Sequence, residues 1–328
     1  MRSLSMVILA AVLLLGMILS GDGAFGAEKY PVKPLSFIVP LEAGADGDVL
    51  ARPMVQKMSN ALGQTMMVVN KPGAGSSMGY REVYGAKPDG YTIGSAYTSL
   101  VSNKLQGLIP FDHRDLTIMG TFYSWGPIIV ASTKSKRPFK TLQEALAYAK
   151  DNPEGVSIAT GGVGQVWWIA TMAFQAATGL KFNVLPQPGA AGFTIVKVAG
   201  GDADLAVLAL GSAKPQIEAG NIRFLAVYGS KRAPAPYDNV PTLKELGYDV
   251  DIETTSIVVG PPKMPAPIVE RLSQALEKAV QDPEYQKFIY ERNGVPVYLT
   301  PEKALAYYNK QRAVYRTIME KAGILKEK

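Results

Sequence analysis

The chain has 328 residues, 47% of them hydrophobic and 19% charged, so it can bury large cores and is long enough for two domains or lobes. Its formal net charge is +6, but the 34 basic and 28 acidic residues are interspersed, which argues against a nucleic-acid partner. The lack of cysteine excludes disulfides, thiolate catalysis and zinc–cysteine sites, and the single histidine, His113, argues against a Ser-His-Asp triad or a multi-histidine metal site.

The N-terminal segment predicts export. One Arg precedes an apolar stretch from Met6 to Leu19, and small residues follow, with Ala24-Phe25-Gly26 able to serve as a cleavage site. This pattern is typical of a secretory signal peptide, here residues 1–27. The alternative is an uncleaved membrane anchor, but the apolar run falls short of the ~20 residues that a bilayer span needs. We therefore expect a periplasmic protein that starts near Ala27 or Glu28.

The first predicted unit is a strand, a loop and a helix. The stretch "LSFIVP" at 35–40 is typical of a strand, and the loop after it carries carboxylates. Apolar residues then recur at helical spacing from Val49 to Leu62, before Gly63. The chain thus feeds a strand directly into a helix start.

The same alternation continues along most of the chain. One later helix is predicted to begin at Thr141 as its N-cap, because Glu144 follows three residues later. Further strands are predicted at 65–71, 92–98, 127–133 and 156–160, and in the stretches "KFNVLP", "ADLAVLAL" and "IRFLAVYG". This regular alternation predicts an α/β protein with largely parallel sheets, arranged in two lobes.

The last third is predicted to close the fold with helices. Two amphipathic stretches cover residues 265–294 and 300–323, after the segment "DIETTSIVVGPP". Their aromatic residues are predicted to pack in the core: Tyr285, Phe288, Tyr307, Tyr308 and Tyr315. Elsewhere, core packing is expected of Met66 and Met67, and a structural or solvated role in a surface-type loop is expected of His113.

Several motifs together carry a family resemblance. They are "YPVKPLSFIVPLEAGADGDVLAR", "LGQTMMVVNKPGAGSSMGYREVYGAKPDGYTI", "PFDHRDL", "GGDADLAV", "IEAGNIRFLAV", "VPTLKELGYDV" and "GPPKMPAPIVERL". In these segments the chain resembles the solute-binding proteins of the tripartite tricarboxylate transporter family, also called Bug-type periplasmic receptors. The resemblance runs in order over essentially the whole chain after the signal peptide.

The resemblance implies a type II periplasmic-binding-protein fold, in which two α/β lobes are joined by two crossover strands around a ligand cleft. Lobe one would comprise residues 28–124 and 254–328, and lobe two residues 125–253. It further implies a monomer without catalytic residues, cofactor or metal, which binds a small carboxylate and delivers it to membrane permease subunits. A receptor that reports to a membrane sensor, and an exported hydrolase on the same scaffold, are the competing classes.

The loop from Leu41 to Asp48 suits an anionic or strongly polar ligand group, because a helix N-terminus presents unpaired N–H groups and a partial positive charge. Gly44 and Gly47 let the backbone approach closely, and Asp48 is expected to cap the helix. Ligand contacts in lobe one are expected from Leu41, Glu42, Ala43, Gly44, Ala45, Asp46, Tyr97, Thr98 and Ser99, and from Thr254 and Thr255 at the crossover.

The loop "TGGVGQVWWIA" is the counterpart in lobe two. Relative to the family pattern, Gln165 replaces a hydroxyl and Trp168 a histidine. Trp167 and Trp168 lie ~100° apart on a helix, so one indole at most can face the cleft squarely; we expect Trp168 to do so. Expected ligand contacts in this lobe are Gly162, Val163, Gly164, Gln165, Trp168, Gln187 and Gly189.

These departures from the family pattern bear on ligand identity. They remove ionisable and hydroxyl groups and supply indole surface and an amide. The first hypothesis is therefore a monocarboxylate with an aromatic or apolar body. The second is a zwitterion or cation recognised by Glu42 and the indole of Trp168, since indole gives the strongest cation–π contact.

Overall fold

The computed structural model describes residues 30–187, 191–229, 231–250, 252–292 and 294–327. The chain divides into a first unit, Met1–Val32, of which only residues 30–32 are described, and a compact second unit, Lys33–Lys328. The second unit holds all helices and strands reported below. The predicted signal peptide lies outside the described residues, and within those residues no helix has the length and apolar character to cross a membrane.

The strands form two separate sheets. They are β1 (Leu35–Val39), β2 (Met66–Asn70), β3 (Thr92–Ala96), β4 (Thr117–Trp125), β5 (Pro127–Ser132), β6 (Ser157–Thr160), β7 (Asn183–Pro186), β8 (Leu205–Ala209), β9 (Ile222–Val227), β10 (Thr254–Gly260) and β11 (Val295–Pro296).

Helices alternate with the strands and then dominate the C-terminal third. They are α1 (Asp46–Leu62), α2 (Ser77–Tyr84), α3 (Ser99–Leu105), α4 (Leu142–Asp151), α5 (Val166–Thr178), α6 (Ala191–Gly200), α7 (Leu210–Glu218), α8 (Ala266–Gln281), α9 (Pro283–Tyr290) and α10 (Pro301–Lys321), with a 3-10 turn at Ala74–Ser76.

Each sheet defines one lobe. The first-lobe sheet has the order β11-β4-β10-β3-β1-β2, and the second-lobe sheet has the order β7-β6-β8-β5-β9. Strands β1, β2 and β3 pair in parallel, as do β6, β7 and β8, but β10 and β5 run antiparallel to both of their neighbours. The prediction of largely parallel sheets is therefore wrong. The antiparallel strands are mainly those next to the connections between the sheets.

The chain passes between the sheets at two adjacent places. β4 ends at Trp125 in one sheet and β5 begins at Pro127 in the other, so Gly126 makes the first passage. The return runs from the end of β9 to Thr254. The backbone N–H of Tyr228 donates to the Pro127 carbonyl at 2.9 Å, which ties the returning chain to the outgoing one. The predicted limits of the two lobes stay a prediction.

Helix ends follow local chemistry. The Glu144 N–H donates to Thr141 Oγ1 at 3.2 Å, which confirms the predicted cap of α4. The single helical stretch predicted over 265–294 is wrong, because Asp282 ends α8 and begins α9. Its side chain accepts hydrogen bonds from the N–H groups of Glu284 and Tyr285, at 3.0 and 3.1 Å.

Helix α10 closes the fold, as expected of the C-terminal segment. It contacts β4 and α3 of the first lobe and α5 of the second. Of the aromatic residues predicted to be in the core, Tyr285, Tyr308 and Tyr315 are fully buried, whereas Phe288 and Tyr307 are half-buried.

Two smaller predictions are confirmed only in part. Met67 is 51% exposed, since β2 is an edge strand and alternate residues point to opposite faces, whereas Met66 is buried. His113 is completely buried rather than in a surface loop, and its Nε2 lies 3.0 Å from Asn309 Oδ1 on α10. Burial lowers the pKa of His113, so the ring serves the structure as a neutral group.

Candidate functional site

Helix α1 begins against a tyrosine hydroxyl of the first lobe. Ala45 is extended at its N-cap, and Gly44 has a φ of +84°, a conformation that favours glycine. A Cβ built on Gly47 would lie 2.6 Å from the Tyr97 hydroxyl and 2.5 Å from Leu41 Cδ1. A side chain at residue 47 would have to displace the Leu41 and Tyr97 side chains, and the close approach of this loop to a ligand stays a prediction.

Asp48 holds this loop in place. Its buried carboxylate accepts hydrogen bonds from the Gly44 N–H at 2.9 Å, Arg52 Nε at 3.0 Å and Asn70 Nδ2 at 2.9 Å. Burial acts to raise the pKa of Asp48, but the hydrogen bonds from these three donors outweigh it, and the pKa is lowered. Asp48 is the third residue of the helix rather than its N-cap, so it stabilises the helix start by reaching back to the loop.

The residues before Asp46 present mostly backbone. Ala43 and Gly44 are exposed, and the Leu41 carbonyl accepts from Asn70 Nδ2 at 3.0 Å. Glu42 is exposed, and the described part of the chain offers its carboxylate no ion-pair partner. The cationic-ligand role predicted for Glu42 therefore stays a prediction.

The expected hydroxyl residues after β3 have different partners. Ser99 Oγ lies 2.7 Å from the Tyr80 hydroxyl, and the Tyr97 hydroxyl lies 3.2 Å from Ser95 Oγ. Thr98 is fully buried, and its side chain acts on the buried Tyr315 hydroxyl of α10. Ser99 and Thr98 are thus both engaged within the first lobe.

The second-lobe loop is compact and uncharged. The Gly162 N–H donates to Gln165 Oε1 at 3.2 Å, and the Gln165 N–H donates to the Gly162 carbonyl at 2.9 Å. A Cβ on Gly162 would lie 3.6 Å from the Gln187 carbonyl, so these two predicted site residues are neighbours. Val163 is exposed. Gly189 lies outside the described residues.

Both tryptophans of α5 are buried, Trp167 at 8% and Trp168 at 7% exposed. The Trp167 ring packs on Trp125, with centroids 4.7 Å apart and planes inclined by 52°. Trp168 belongs to the same hydrophobic cluster as Tyr308 and Tyr315 of α10. The preference for Trp168 as the ligand-facing indole stays a prediction. Trp125, which the sequence analysis did not select, joins this aromatic group from the first passage between the sheets.

Among the described residues, side-chain hydrogen bonds connect the two lobes. Ser212 Oγ, at the start of α7, donates to Asp46 Oδ2 at 2.7 Å, and Gln106 Nε2 donates to the Gly164 carbonyl at 3.3 Å. The lobes are therefore in contact through the start of α1 and the start of α7, and through the end of α3 and the loop before α5. Ser212 was missed, although it follows β8 in the way that the predicted residues follow β3 and β6.

A cavity of about 250 Å³ lies between the lobes. It is lined by Asp46, Val49, Leu50, Trp125, Gly126, Ala209, Leu210, Gly211, Lys214, Glu291, Arg292 and Gly294. Asp46 is the predicted site residue among them, and the other predicted site residues that the structure describes do not line this cavity. The segment after α9 was missed because nothing in its pattern indicates that it reaches the cleft.

The two predicted threonines of β10 point to opposite faces of the sheet. Thr255 Oγ1 donates to Ser124 Oγ at 3.1 Å, whereas Thr254 Oγ1 is buried and has no partner in the described part of the chain. Thr254 is paired with Trp125 in the strand register and so belongs to the cleft side. Across the described residues there is no group of three or more His, Cys, Asp or Glu side chains that could hold a metal ion.

Known proteins share both sequence and fold with this chain. A family model described as "Tripartite tricarboxylate transporter family receptor" matches residues 50–324. The chain is similar to Protein BugT of Bordetella pertussis, with 27% identity over 305 residues, 92% of this chain and 91% of BugT.

Solved structures of related proteins share the fold of this chain. A TctC solute-binding protein from Polaromonas is 29% identical, with a TM-score of 0.75 over 89% of this chain and 99% of that chain. The R. palustris protein Rpa4515, solved with adipate, is 24% identical, with a TM-score of 0.79 over 90% of this chain and 99% of that chain. These likenesses confirm the predicted two-lobed periplasmic-binding-protein fold.

Proposed function

The chain belongs to the receptors of the tripartite tricarboxylate transporter family, and we propose that it captures a small organic acid between its two lobes. The predicted family is confirmed, and so is the prediction of a solute receptor rather than an enzyme. A carboxylate ligand fits the family. The proposal concerns the class of carboxylate that binds, its delivery to a membrane permease and the periplasmic location.

We favour a monocarboxylate with an aromatic or apolar body. The observation that carries this choice is the contact between two indoles, since Trp125 lines the cavity and the Trp167 ring packs on it with the planes inclined by 52°. An aromatic or aliphatic body buried against indole gains hydrophobic and ring-stacking energy, about 0.5–1.5 kcal/mol beyond area burial for a ring pair.

The charges around the cavity support a single carboxylate. Lys214 and Arg292 are cationic, but Asp46 and Glu291 are anionic, so the ionisable side chains of the wall cancel. A tricarboxylate would bring three negative charges to a wall with no net positive charge, and each uncompensated charge is costly to desolvate. The adipate in the R. palustris structure is bound to that protein. At 24% identity, the comparison shows that the two proteins share a fold and does not identify the ligand of this chain.

A cationic or zwitterionic ligand is the second candidate. The Asp46 carboxylate and the Trp125 indole line the same cavity, and a quaternary ammonium group could contact both. Asp46, rather than Glu42, would then be the carboxylate that binds the cationic group.

Calorimetric titration of the purified protein distinguishes these candidates. We expect benzoate or hexanoate to bind more tightly than citrate, and Trp125→Ala, which removes the indole that lines the cavity, to weaken that binding by roughly ten-fold. Met67→Ala, at an exposed residue of the edge strand β2, is the control and should leave the affinity unchanged. Preferential binding of citrate would contradict the monocarboxylate proposal, and preferential binding of glycine betaine would select the cationic candidate.

The proposal includes a periplasmic location and delivery to the membrane subunits of a tripartite tricarboxylate-type permease. Reporting of the ligand to a membrane sensor is the competing role. Disrupting the permease genes and measuring both uptake and transcription separates them, because transport predicts loss of uptake and sensing predicts loss of the transcriptional response.

A further inference from the structure

A second cavity lies outside the cleft, on the first lobe. Its volume is about 450 Å³, and it is lined by Arg81 of α2, Lys104 of α3, the segment 107–110, Lys326 and Glu327. We call it the basic groove. The N–H groups of Lys326 and Glu327 both donate to the Leu105 carbonyl, at 2.9 and 3.1 Å. The segment that follows α10 is thus tied to the end of α3 and forms one wall of the groove.

The walls of the basic groove carry a net positive charge. Among the lining residues that the structure describes, three are cationic and Glu327 is anionic. The Glu327 carboxylate forms ion pairs with Arg312 and, at 3.1 Å, with Arg316, both on α10. Its charge is therefore compensated by cations outside the lining. The inter-lobe cavity differs, because two cations and two anions line it.

Two cations of the basic groove are held in place by backbone carbonyls. Arg81 Nη2 donates to the Leu108 carbonyl, and Lys104 Nζ donates to the Pro110 carbonyl, both at 2.6 Å. A guanidinium has five N–H donors and an ammonium has three, so one such bond fixes the charge without using up its donors. Side chains that are already fixed lose less conformational entropy when an anion binds to them.

This arrangement suits a peptide segment better than a single small anion. The two anchored cations are bound to the carbonyls of different residues, Leu108 and Pro110. The third, Lys326, lies beside Gly107, since a Cβ built on Gly107 would be 3.5 Å from Lys326 Cβ. Leu108 is 45% exposed and offers an apolar contact in the same groove. Several anchoring points with an apolar contact among them match a chain that carries several carboxylates.

We propose that the basic groove binds an acidic peptide segment of a protein partner, in which carboxylates are interspersed with apolar residues. Opposite charges on the two surfaces attract the partner and fix its orientation. Gln106, next to Gly107 in sequence, donates to the Gly164 carbonyl of the second lobe at 3.3 Å. A partner in the groove would therefore bind beside a hydrogen bond between the lobes. This inference does not depend on which ligand the cleft binds.

Fluorescence anisotropy with labelled peptides tests the groove. The probes are an octapeptide that repeats Glu-Leu-Glu-Gly and its counterpart with glutamine in place of glutamate. We expect the acidic probe to bind about ten-fold more tightly to the wild type, and its affinity to fall as salt is added. Arg81→Glu combined with Lys104→Glu should remove that advantage. The control combines Lys136→Glu with Lys140→Glu, at exposed lysines of the second lobe; it changes the net charge equally and should keep the advantage.

Three results would overturn the proposal. The first is an acidic probe that binds no more tightly than the neutral one. The second is an equal loss in the control pair, since net charge alone would then explain the binding. The third is binding of the wild type to phosphatidylglycerol vesicles but not to the acidic probe, which would assign the groove to a membrane surface. If the double variant does not fold, Lys326→Glu, at an exposed residue, replaces it and should weaken the acidic probe about three-fold.

Calorimetry separates the groove from the proposed function. Benzoate and hexanoate should bind Arg81→Glu/Lys104→Glu as they bind the wild type, because neither residue lines the inter-lobe cavity. If neither acid binds the wild type, the monocarboxylate proposal falls while the peptide result decides the groove by itself.

Discussion

The two loops that begin α1 and α5 occupy equivalent places in the two lobes, yet they are stabilised by opposite kinds of interaction. The first-lobe loop is held by the buried Asp48 carboxylate, which accepts hydrogen bonds from the loop backbone and from Arg52 and Asn70. The second-lobe loop has no ionisable residue and leads into Trp167, which packs on Trp125. One fold therefore builds the same strand-to-helix turn with either ionic or aromatic support.

This difference predicts distinct sensitivities. Support by a carboxylate depends on its ionisation and therefore on pH. Support by aromatic packing depends on the volume of the rings and does not vary with protonation. Substitutions of Trp167 and Asp48 test these expectations, and a substitution of Ser212 tests the contact between the lobes.

Removing the Trp167 ring should have the largest effect. Trp167→Ala should lower the free energy of unfolding by about 3–5 kcal/mol, because a large buried ring is lost and a cavity is left beside Trp125. Urea denaturation measures this loss, and it should be the same at neutral pH and at mildly acidic pH. Val163→Ala, at an exposed position of the same loop, is the control and should change stability little. A loss below ~1 kcal/mol would show that aromatic packing does not support this loop.

Neutralising Asp48 should have an intermediate effect. Asp48→Asn keeps the shape but weakens three hydrogen bonds to a buried carboxylate, so we expect a loss of about 2 kcal/mol at neutral pH. Because the pKa of Asp48 is lowered in the folded protein, its contribution is fully present above the unfolded pKa of about 3.9. It is lost as the pH falls through the folded pKa.

The difference between the wild type and Asp48→Asn should therefore shrink below about pH 3.9. Denaturation at a series of pH values measures it, with Trp167→Ala as the variant whose deficit stays constant. A deficit of Asp48→Asn that is equally large in strong acid would contradict the ionic account of the first-lobe loop.

The smallest effect should come from the hydrogen bond between the lobes. Ser212→Ala removes the donor to Asp46 Oδ2. The free energy that favours the closed form over the open form should fall by about 1 kcal/mol, which lowers the ratio of closed to open molecules about five-fold. Solution scattering without ligand should show a larger radius of gyration. Gln106→Ala, which removes the longer 3.3 Å bond to Gly164, should do less. An unchanged radius in Ser212→Ala would show that this bond does not hold the lobes together.

The candidate site could be predicted from the sequence only in part. The start of α1 after β1 and its close glycine were predictable, because a strand followed by a glycine loop and a helical repeat is a local pattern. The structural role of Asp48 was predictable for the same reason, since its bond to the Gly44 N–H spans four residues. Trp125 was not selected, because its importance comes from Trp167, which is distant in sequence.

The directions of the strands and the pairs that they form could not be predicted from the sequence either. The alternation of strands and helices indicated two α/β lobes, but β10 runs antiparallel because the chain returns from the second sheet at that point. His113 illustrates the same limit. Its neighbours indicate a loop, yet α10 covers it and Asn309 provides its partner.

By itself, the sequence determined the family, the alternation of elements, the cap of α4 and the apolar character of the helix that follows the second-lobe loop. These follow from residue periodicity and short-range hydrogen bonds, which act over a few positions. Only the tertiary structure decided that Ser212 meets Asp46 and that Trp125 packs on Trp167. The physical reason is that these contacts join segments far apart in the chain, so their energy depends on how the lobes pack rather than on any local pattern.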